Sequence, residues 1–181
     1  MDGVCALGAV FEMIVDLNSF ERERAIDETI PADAIDLDLE TAKLVSDVAI
    51  SGRLTKTAAS TTLVGRLAGE MEILCDRCLE PQLRSFDVEL DLEFATKDAF
   101  GAAANLELLP NELKLDAIPE DKIDLTEIAR EQILLDVPQQ FFCREDCQGL
   151  CQKCGTNLNT EQCDCEENEI DPRWAALKNL N

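Results

Sequence analysis

The chain contains no histidine, no tyrosine and a single tryptophan, and sets only 16 lysines and arginines against 38 aspartates and glutamates. Each shortage removes a possibility. Without histidine there is no side chain that ordinarily titrates near neutrality, so the commonest general base and the usual nitrogen ligand for metals are both missing. The few cations are dispersed through a sequence that is acidic along its whole length, net −22 at pH 7, and no stretch could neutralise a run of phosphates. Strong direct binding of RNA or DNA is therefore not expected. There is also no apolar run close to the length of a membrane span and no leader with a basic start and apolar middle. The expected setting is cytoplasmic, without membrane contact.

Cysteine is abundant: nine in 181 residues, six of them between Cys143 and Cys165. That stretch holds few other apolar side chains, so no hydrophobic core of its own could offset the entropy of ordering it. Either metal or disulfides must hold it. Reducing compartments disfavour disulfides, and the spacing favours metal. Cys151-Gln-Lys-Cys154-Gly155 has the form of a zinc knuckle, with a glycine where the backbone turns sharply, and Cys163-Asp-Cys165 supplies two more sulfurs. A second pair, Cys75-Asp-Arg-Cys78, can join Cys143 and Cys147. The expectation is thus one or two structural zinc ions, with Cys75, Cys78, Cys143 and Cys147 in one site and Cys151, Cys154, Cys163 and Cys165 in the other. Cys5 is left over. Four thiolates close a tetrahedral zinc and leave no position for substrate, so such sites build structure and catalyse nothing.

Along the chain, apolar residues fall on the odd positions from Leu7 to Leu17, the alternation of a half-buried strand. Met13 is a plausible alternative start, which would make residues 1–12 a start-site artefact. Ser19–Asp38 is charged and irregular and reads as a surface connector. Val45–Lys56 and Thr61–Leu74 read as two strands, although the joining Thr57-Ala-Ala-Ser60 lacks the glycine or asparagine of a firm hairpin. After the Cys75–Cys78 turn, Pro81 is expected to stop the sheet from running on, and Leu83–Thr96 places Phe86, Val88, Leu90, Leu92 and Phe94 on one face. Residues 97–122 read as a long acidic excursion, partly helical or mobile. Asp124 and Glu127 form a capping box for a helix over 124–136 that ends before Pro138, with Ile128, Ala129, Leu134 and Leu135 as its apolar residues. Asp171 and Pro172 open a C-terminal helix carrying Trp174 and Leu177, expected to pack on the body, with a docking surface as the alternative.

The resulting fold class is α+β and mainly β: an antiparallel sheet, its closure into a barrel left open, a covering helix and a C-terminal zinc-ribbon-like module. Residues 1–142 form the body and 143–181 the cysteine-rich module.

The motifs Cys75-Asp-Arg-Cys-Leu-Glu-Pro81, Glu131-Gln-Ile-Leu-Leu-Asp-Val-Pro138, the run Cys143–Asn159 and Asp171-Pro-Arg-Trp-Ala-Ala-Leu177 together resemble the bacterial YceD-like family. The resemblance implies a non-enzymatic factor needed for accumulation of large-subunit ribosomal RNA, associated with a small zinc-ribbon protein of that subunit. It implies no contact residues. Joined to the charge, it suggests a basic ribosomal protein of the large subunit, or an assembly intermediate, as partner, since opposite potentials steer association. The acidic segment 98–124, with Asp98, Glu107, Glu112, Asp116, Glu120 and Asp121, is the first candidate surface. Two other classes compete. A thiol–disulfide redox protein would use Cys75 and Cys78, but here the pair follows a strand instead of opening a helix. A zinc-ribbon nucleic-acid binder would need cations where the knuckle carries Glu145, Asp146, Glu161, Asp164, Glu166 and Glu167.

Overall fold

Alternation of apolar and polar side chains builds most of the architecture, as seen in a computed structural model that describes residues 13–58, 60–95, 115–117 and 121–165. The strands are β1 (Ile14–Asp16), β2 (Glu23–Ile30), β3 (Ala42–Leu44), β4 (Val48–Lys56), β5 (Ser60–Leu74), β6 (Pro81–Ala95), β7 (Leu115–Ala117) and β8 (Lys122–Asp124), followed by helix α1 (Leu125–Asp136). The described residues group into two compact units. The first comprises those up to Ile73 together with Pro81–Gln139; the second comprises Leu74–Glu80 together with those from Gln140 onward.

In the first unit the main sheet has the order β2-β4-β5-β6-β7, with β3 also on β5. β5 is 15 residues long and so takes β4 and β3 end to end along one edge: Ala49 pairs with Ala68, and Ala42 with Ile73. The link from β5 to β6 is too short for a parallel crossover, so these two long strands form an antiparallel hairpin. β7 joins β6 in parallel, Phe94 opposite Asp116. A separate two-stranded ribbon pairs β1 with β8, Val15 opposite Ile123. Among the described residues β2 and β7 remain edges, so the sheet is an open half-barrel.

Two strands of that sheet approach closely at a glycine pair. Gly52 and Gly65 face each other across β4 and β5, and a Cβ on Gly65 would overlap the Ser51 carbonyl and lie 2.8 Å from the Gly52 Cα. Only two residues without side chains allow this approach. The concave face carries Ile26, Ile30, Val48, Ile50, Leu54, Leu63, Leu67 and Met71, joined by Phe86, Leu90 and Phe94 from β6. Val88 and Leu92 complete the β6 face, partly buried, as the alternation indicated.

α1 closes one side of this core through Leu125, Ile128, Ala129 and Ile133. Asp124 caps it, its carboxylate accepting from the N–H groups of Thr126 (2.9 Å) and Glu127 (3.3 Å), and Arg84 of β6 bonds the Asp136 carbonyl at its far end (3.1 Å). Leu135, expected on the apolar face, is 79% exposed; Ile133 takes the buried place instead. No described helix is long and apolar enough to cross a membrane.

Several expectations need correction. The stretch read as a connector at 19–38 contains the eight-residue strand β2, whose pattern is faint because only Ile26 and Ile30 are buried on an otherwise charged edge. Pro81 opens β6, where its missing N–H costs least, instead of stopping the sheet. The hairpin at 57–60 needs no glycine, because Thr57 Oγ1 accepts the Ser60 N–H at 3.0 Å while the Thr57 N–H bonds the Ser60 carbonyl at 2.8 Å. Of the excursion 97–122, residues 115–117 are strand β7 and Lys122 begins β8; its remainder lies largely outside the described residues. Of Leu7–Leu17, the described part is strand only at Ile14–Asp16, with Val15 and Leu17 buried as the alternation required. Residues 1–12 and the helix expected from Asp171 also lie outside the described residues.

Candidate metal centre

The second unit is built around sulfur. Cys75, Cys78, Cys143 and Cys147 form one group, and Cys151, Cys154, Cys163 and Cys165 another; within each, every Sγ lies within 4.8 Å of the others. These are the eight residues singled out by spacing, divided four and four. In the first group Cys75 and Cys147 sulfurs are 3.8 Å apart and those of Cys78 and Cys143 3.7 Å. A disulfide needs about 2.05 Å, whereas sulfurs at about 2.3 Å from a common tetrahedral ion lie about 3.8 Å from one another. The donor set and the spacing therefore fit a tetrahedral metal ion.

Local bonding explains how the turns present these thiols. Each C-x-x-C closes on itself: the Leu79 N–H bonds the Cys75 carbonyl and the Gly155 N–H the Cys151 carbonyl, both at 2.8 Å. The 75–80 turn is tied to the later segment by the Asp76 N–H to the Phe141 carbonyl (2.9 Å) and the Phe141 N–H to the Asp76 carboxylate (2.7 Å). Arg77, between the two cysteines, donates to the carbonyls of Glu145 (3.1 Å) and Cys147 (3.0 Å), and its guanidinium lies 4.2 Å from the centre of the Phe142 ring. Metal bound here would close a 65-residue loop from Cys78 to Cys143.

A short pairing links the two groups. Leu150 and Asn157 form an antiparallel bridge, flanked by the Cys151 N–H to the Thr156 carbonyl (2.8 Å) and the Leu158 N–H to the Gly149 carbonyl (2.9 Å). Asn159 is its hub: the side-chain carbonyl accepts from Arg144 (2.7 Å) and the Gln148 N–H (2.8 Å), and the amide reaches Cys147 Sγ at 3.4 Å. Reading by cysteine spacing passed over Arg77 and Asn159. The one signal was their position, inside a C-x-x-C and in a polar loop between two cysteine pairs.

Each group divides its protons in the same way. Burial raises all four thiols of the first group, but at Cys75 the N–H groups of Cys143, Cys78 and Arg77 outweigh it and hold the pKa at about 6. Cys147 is lowered too, burial being overcome by the Asn159 amide and the Gly149 N–H. Cys78 stays raised, and Cys143 is pushed up to about 12 by burial and the neighbouring sulfurs. In the second group the Thr156 hydroxyl and N–H bring Cys154 to about 6, and the N–H groups of Cys154 and Lys153 lower Cys151. Cys165 rises to about 12 beside the Cys154 sulfur; at Cys163 the Cys165 N–H pulls downward but the Cys151 sulfur and burial prevail. With two thiols lowered and two raised in each group, a divalent cation must displace protons to gather four thiolates.

An open half-barrel with a capping helix and, in the same chain, a unit of two four-cysteine clusters able to hold metal define a class of small β proteins with a thiolate-based module. The chain belongs to the YceD family: the family model described as "Large ribosomal RNA subunit accumulation protein YceD" matches residues 63–181. It is similar to the uncharacterized protein YlbN of Bacillus subtilis, 28% identical over 155 residues that cover 85% of this chain and 86% of that one. It is 32% identical over 143 residues to the uncharacterized protein Rv2926c of Mycobacterium tuberculosis, covering 79% of this chain and 60% of the relative, which is less than two thirds of its length. A 68-residue stretch is 40% identical to the chloroplastic large ribosomal RNA subunit accumulation protein YCED homolog 1 of Arabidopsis thaliana, covering 37% of this chain and 21% of that one. No solved structure matches the chain.

Proposed function

We propose that this protein is a non-enzymatic cytoplasmic factor that supports accumulation of large-subunit ribosomal RNA by binding a basic ribosomal protein, or an assembly intermediate containing one, through an acidic surface. In this reading each cysteine cluster holds one structural zinc ion. Metal supplies folding energy, on the order of 10 kcal/mol in small zinc-binding peptides, to a unit with little apolar surface.

The observation that carries the reading is membership of a family described by ribosomal RNA accumulation in a chain of net charge −22 whose sequence has no run of cations to neutralise phosphates. Lys43, Arg53, Arg66, Arg84, Arg130 and Arg144 each pair with one of the chain's own carboxylates. Outward positions of β6 meanwhile carry Asp87, Glu89, Asp91 and Glu93, all exposed, spaced about 7 Å apart along one face. Arg66 meets only the first two, at 3.5 and 3.8 Å. This stripe joins the segment 98–124 as a candidate surface; of the acids named there, only Asp116 and Asp121 fall within the described residues.

The test pairs binding with ribosomal RNA levels. Asp91→Asn/Glu93→Gln is expected to weaken binding of basic large-subunit proteins at low salt and to reduce large-subunit RNA relative to small-subunit RNA in a complemented deletion strain. Unchanged binding with these amides, and with amides in 98–124, would exclude the acidic-surface mechanism. Tight, salt-sensitive binding of naked ribosomal RNA would favour direct recognition instead.

A further inference from the structure

The two clusters match in sulfur content and differ in access. In the first, Cys75, Cys78 and Cys147 are between 0% and 4% exposed, and only Cys143 is half-buried. In the second no sulfur-bearing residue is buried: Cys151, Cys163 and Cys165 are half-buried and Cys154 is exposed. Support differs as well. The first cluster is locked by Arg77, Asp76 and Asn159, whereas Cys163 and Cys165 lie beyond Glu161, whose N–H reaches the Asn157 carbonyl at 3.0 Å, in a stretch without regular structure.

We propose that the second cluster is an oxidant-responsive metal site, from which peroxide releases the ion while the first cluster keeps its own. The proposal rests on the metal-binding reading above. The exposed Cys154 thiolate attacks one oxygen of hydrogen peroxide; the O–O bond breaks, hydroxide leaves and a sulfenic acid forms. A second thiolate of the cluster, its sulfur within 4.8 Å, then attacks the sulfenic sulfur, forming the S–S bond and expelling a second hydroxide. Two electrons pass from the sulfurs to the peroxide. The cation, left with two thiolates, dissociates.

The consequence is local. The bonds joining 149–151 to 156–158 and those from the Thr160 and Glu161 N–H groups to the Asn157 carbonyl do not involve the second cluster's sulfurs, and Asn159 stays tied to Cys147 and Arg144, so only the metal's hold on the four sulfurs is lost. Reduction by a thiol and renewed metal would restore the site.

The experiment uses the full chain purified under reducing conditions and loaded with zinc, titrated with hydrogen peroxide while released metal is followed with a coloured chelator, thiols are counted and disulfides mapped by peptide mass. Expected is release of one ion per chain with loss of two thiols, the disulfide falling among Cys151, Cys154, Cys163 and Cys165, and a second ion retained to at least tenfold higher peroxide. Release of both ions together, or a first disulfide involving Cys75, Cys78, Cys143 or Cys147, overturns the inference and leaves the metal reading standing. A chain that binds no metal at all overturns the metal reading and this inference with it. The variant Cys163→Ser/Cys165→Ser, folded through the first cluster, should hold one ion that resists peroxide; loss of that ion at the concentration that strips the first ion from the parent chain also refutes the switch.

Discussion

Leu79 and Gly155 occupy equivalent places in two copies of one turn: each follows the second cysteine of a C-x-x-C, each bonds the first cysteine's carbonyl at 2.8 Å, and each has a positive φ, 58° and 76°. Glycine adopts this conformation freely, while a side chain costs about 1–2 kcal/mol. Gly155 has nothing within 4 Å of where a Cβ would sit, so only the backbone term opposes Gly155→Ala. That variant is expected to weaken metal binding at the second cluster about fivefold, near 1 kcal/mol. Leu79→Gly should tighten the first by a comparable factor or leave it unchanged. Chelator competition on each variant measures both, and a large loss for Leu79→Gly would show that the exposed leucine has a contact worth more than the strain.

Arg77 joins two carbonyls while facing an aromatic ring, a combination that lysine copies only in part. One guanidinium nitrogen serves the carbonyls of both Glu145 and Cys147 while the plane faces Phe142. Arg77→Ala is expected to destabilise the second unit by about 2 kcal/mol, the cost of leaving two carbonyls without their charged donor. Amide hydrogen exchange over 143–150 should rise, and Arg77→Lys should recover only part of the protection.

Gly65→Ala tests the close approach of β4 and β5. The new methyl would meet backbone, which cannot yield, so a loss of about 2–3 kcal/mol is expected in the denaturation midpoint without a change in slope. Gly69→Ala is the contrast. Its Cβ would meet the tip of the Phe86 ring at 2.7 Å, a side chain able to shift, and a smaller loss should follow.

Metal loading should depend on pH in a defined direction. With Cys75 and Cys154 at about 6 and Cys143 and Cys165 at about 12, each empty cluster has a thiol ionised at neutrality and one that keeps its proton well above it. Binding one divalent ion by four thiolates then releases protons at neutrality, and as pH falls through 6 Cys75 and Cys154 also protonate, so release climbs toward four and affinity falls. Stability contributed by metal is thus present at and above neutrality and lost on acidification. Titration calorimetry in buffers of different ionisation enthalpy reads the proton count directly; a count independent of pH would contradict this division of protons.

Much of the site was legible because cysteine spacing constrains local geometry: a C-x-x-C followed by a residue able to reach positive φ is a turn wherever it lies. The β6 face was legible for a similar reason, since Phe86, Leu90 and Phe94 alternate with acids over a long strand. β2 was not, because an edge strand with two buried residues leaves almost no period to read. Likewise the capping box at Asp124 announces a helix, but sequence could not say that Ile133 instead of Leu135 would turn inward.

By itself, then, the sequence determined the chemistry available: sulfur without imidazole, carboxylates without enough cations to hold phosphate, and turns that present thiols in pairs. Tertiary structure decided which pairs meet and how they differ. Residues 65 and more positions apart come within 4 Å in the first cluster only because strand pairing and the Asp76–Phe141 bonds bring the β5–β6 turn to the segment after α1. Burial of one cluster and exposure of the other follows from the same packing, because solvent access is a property of neighbours in space and leaves no mark on spacing along the chain.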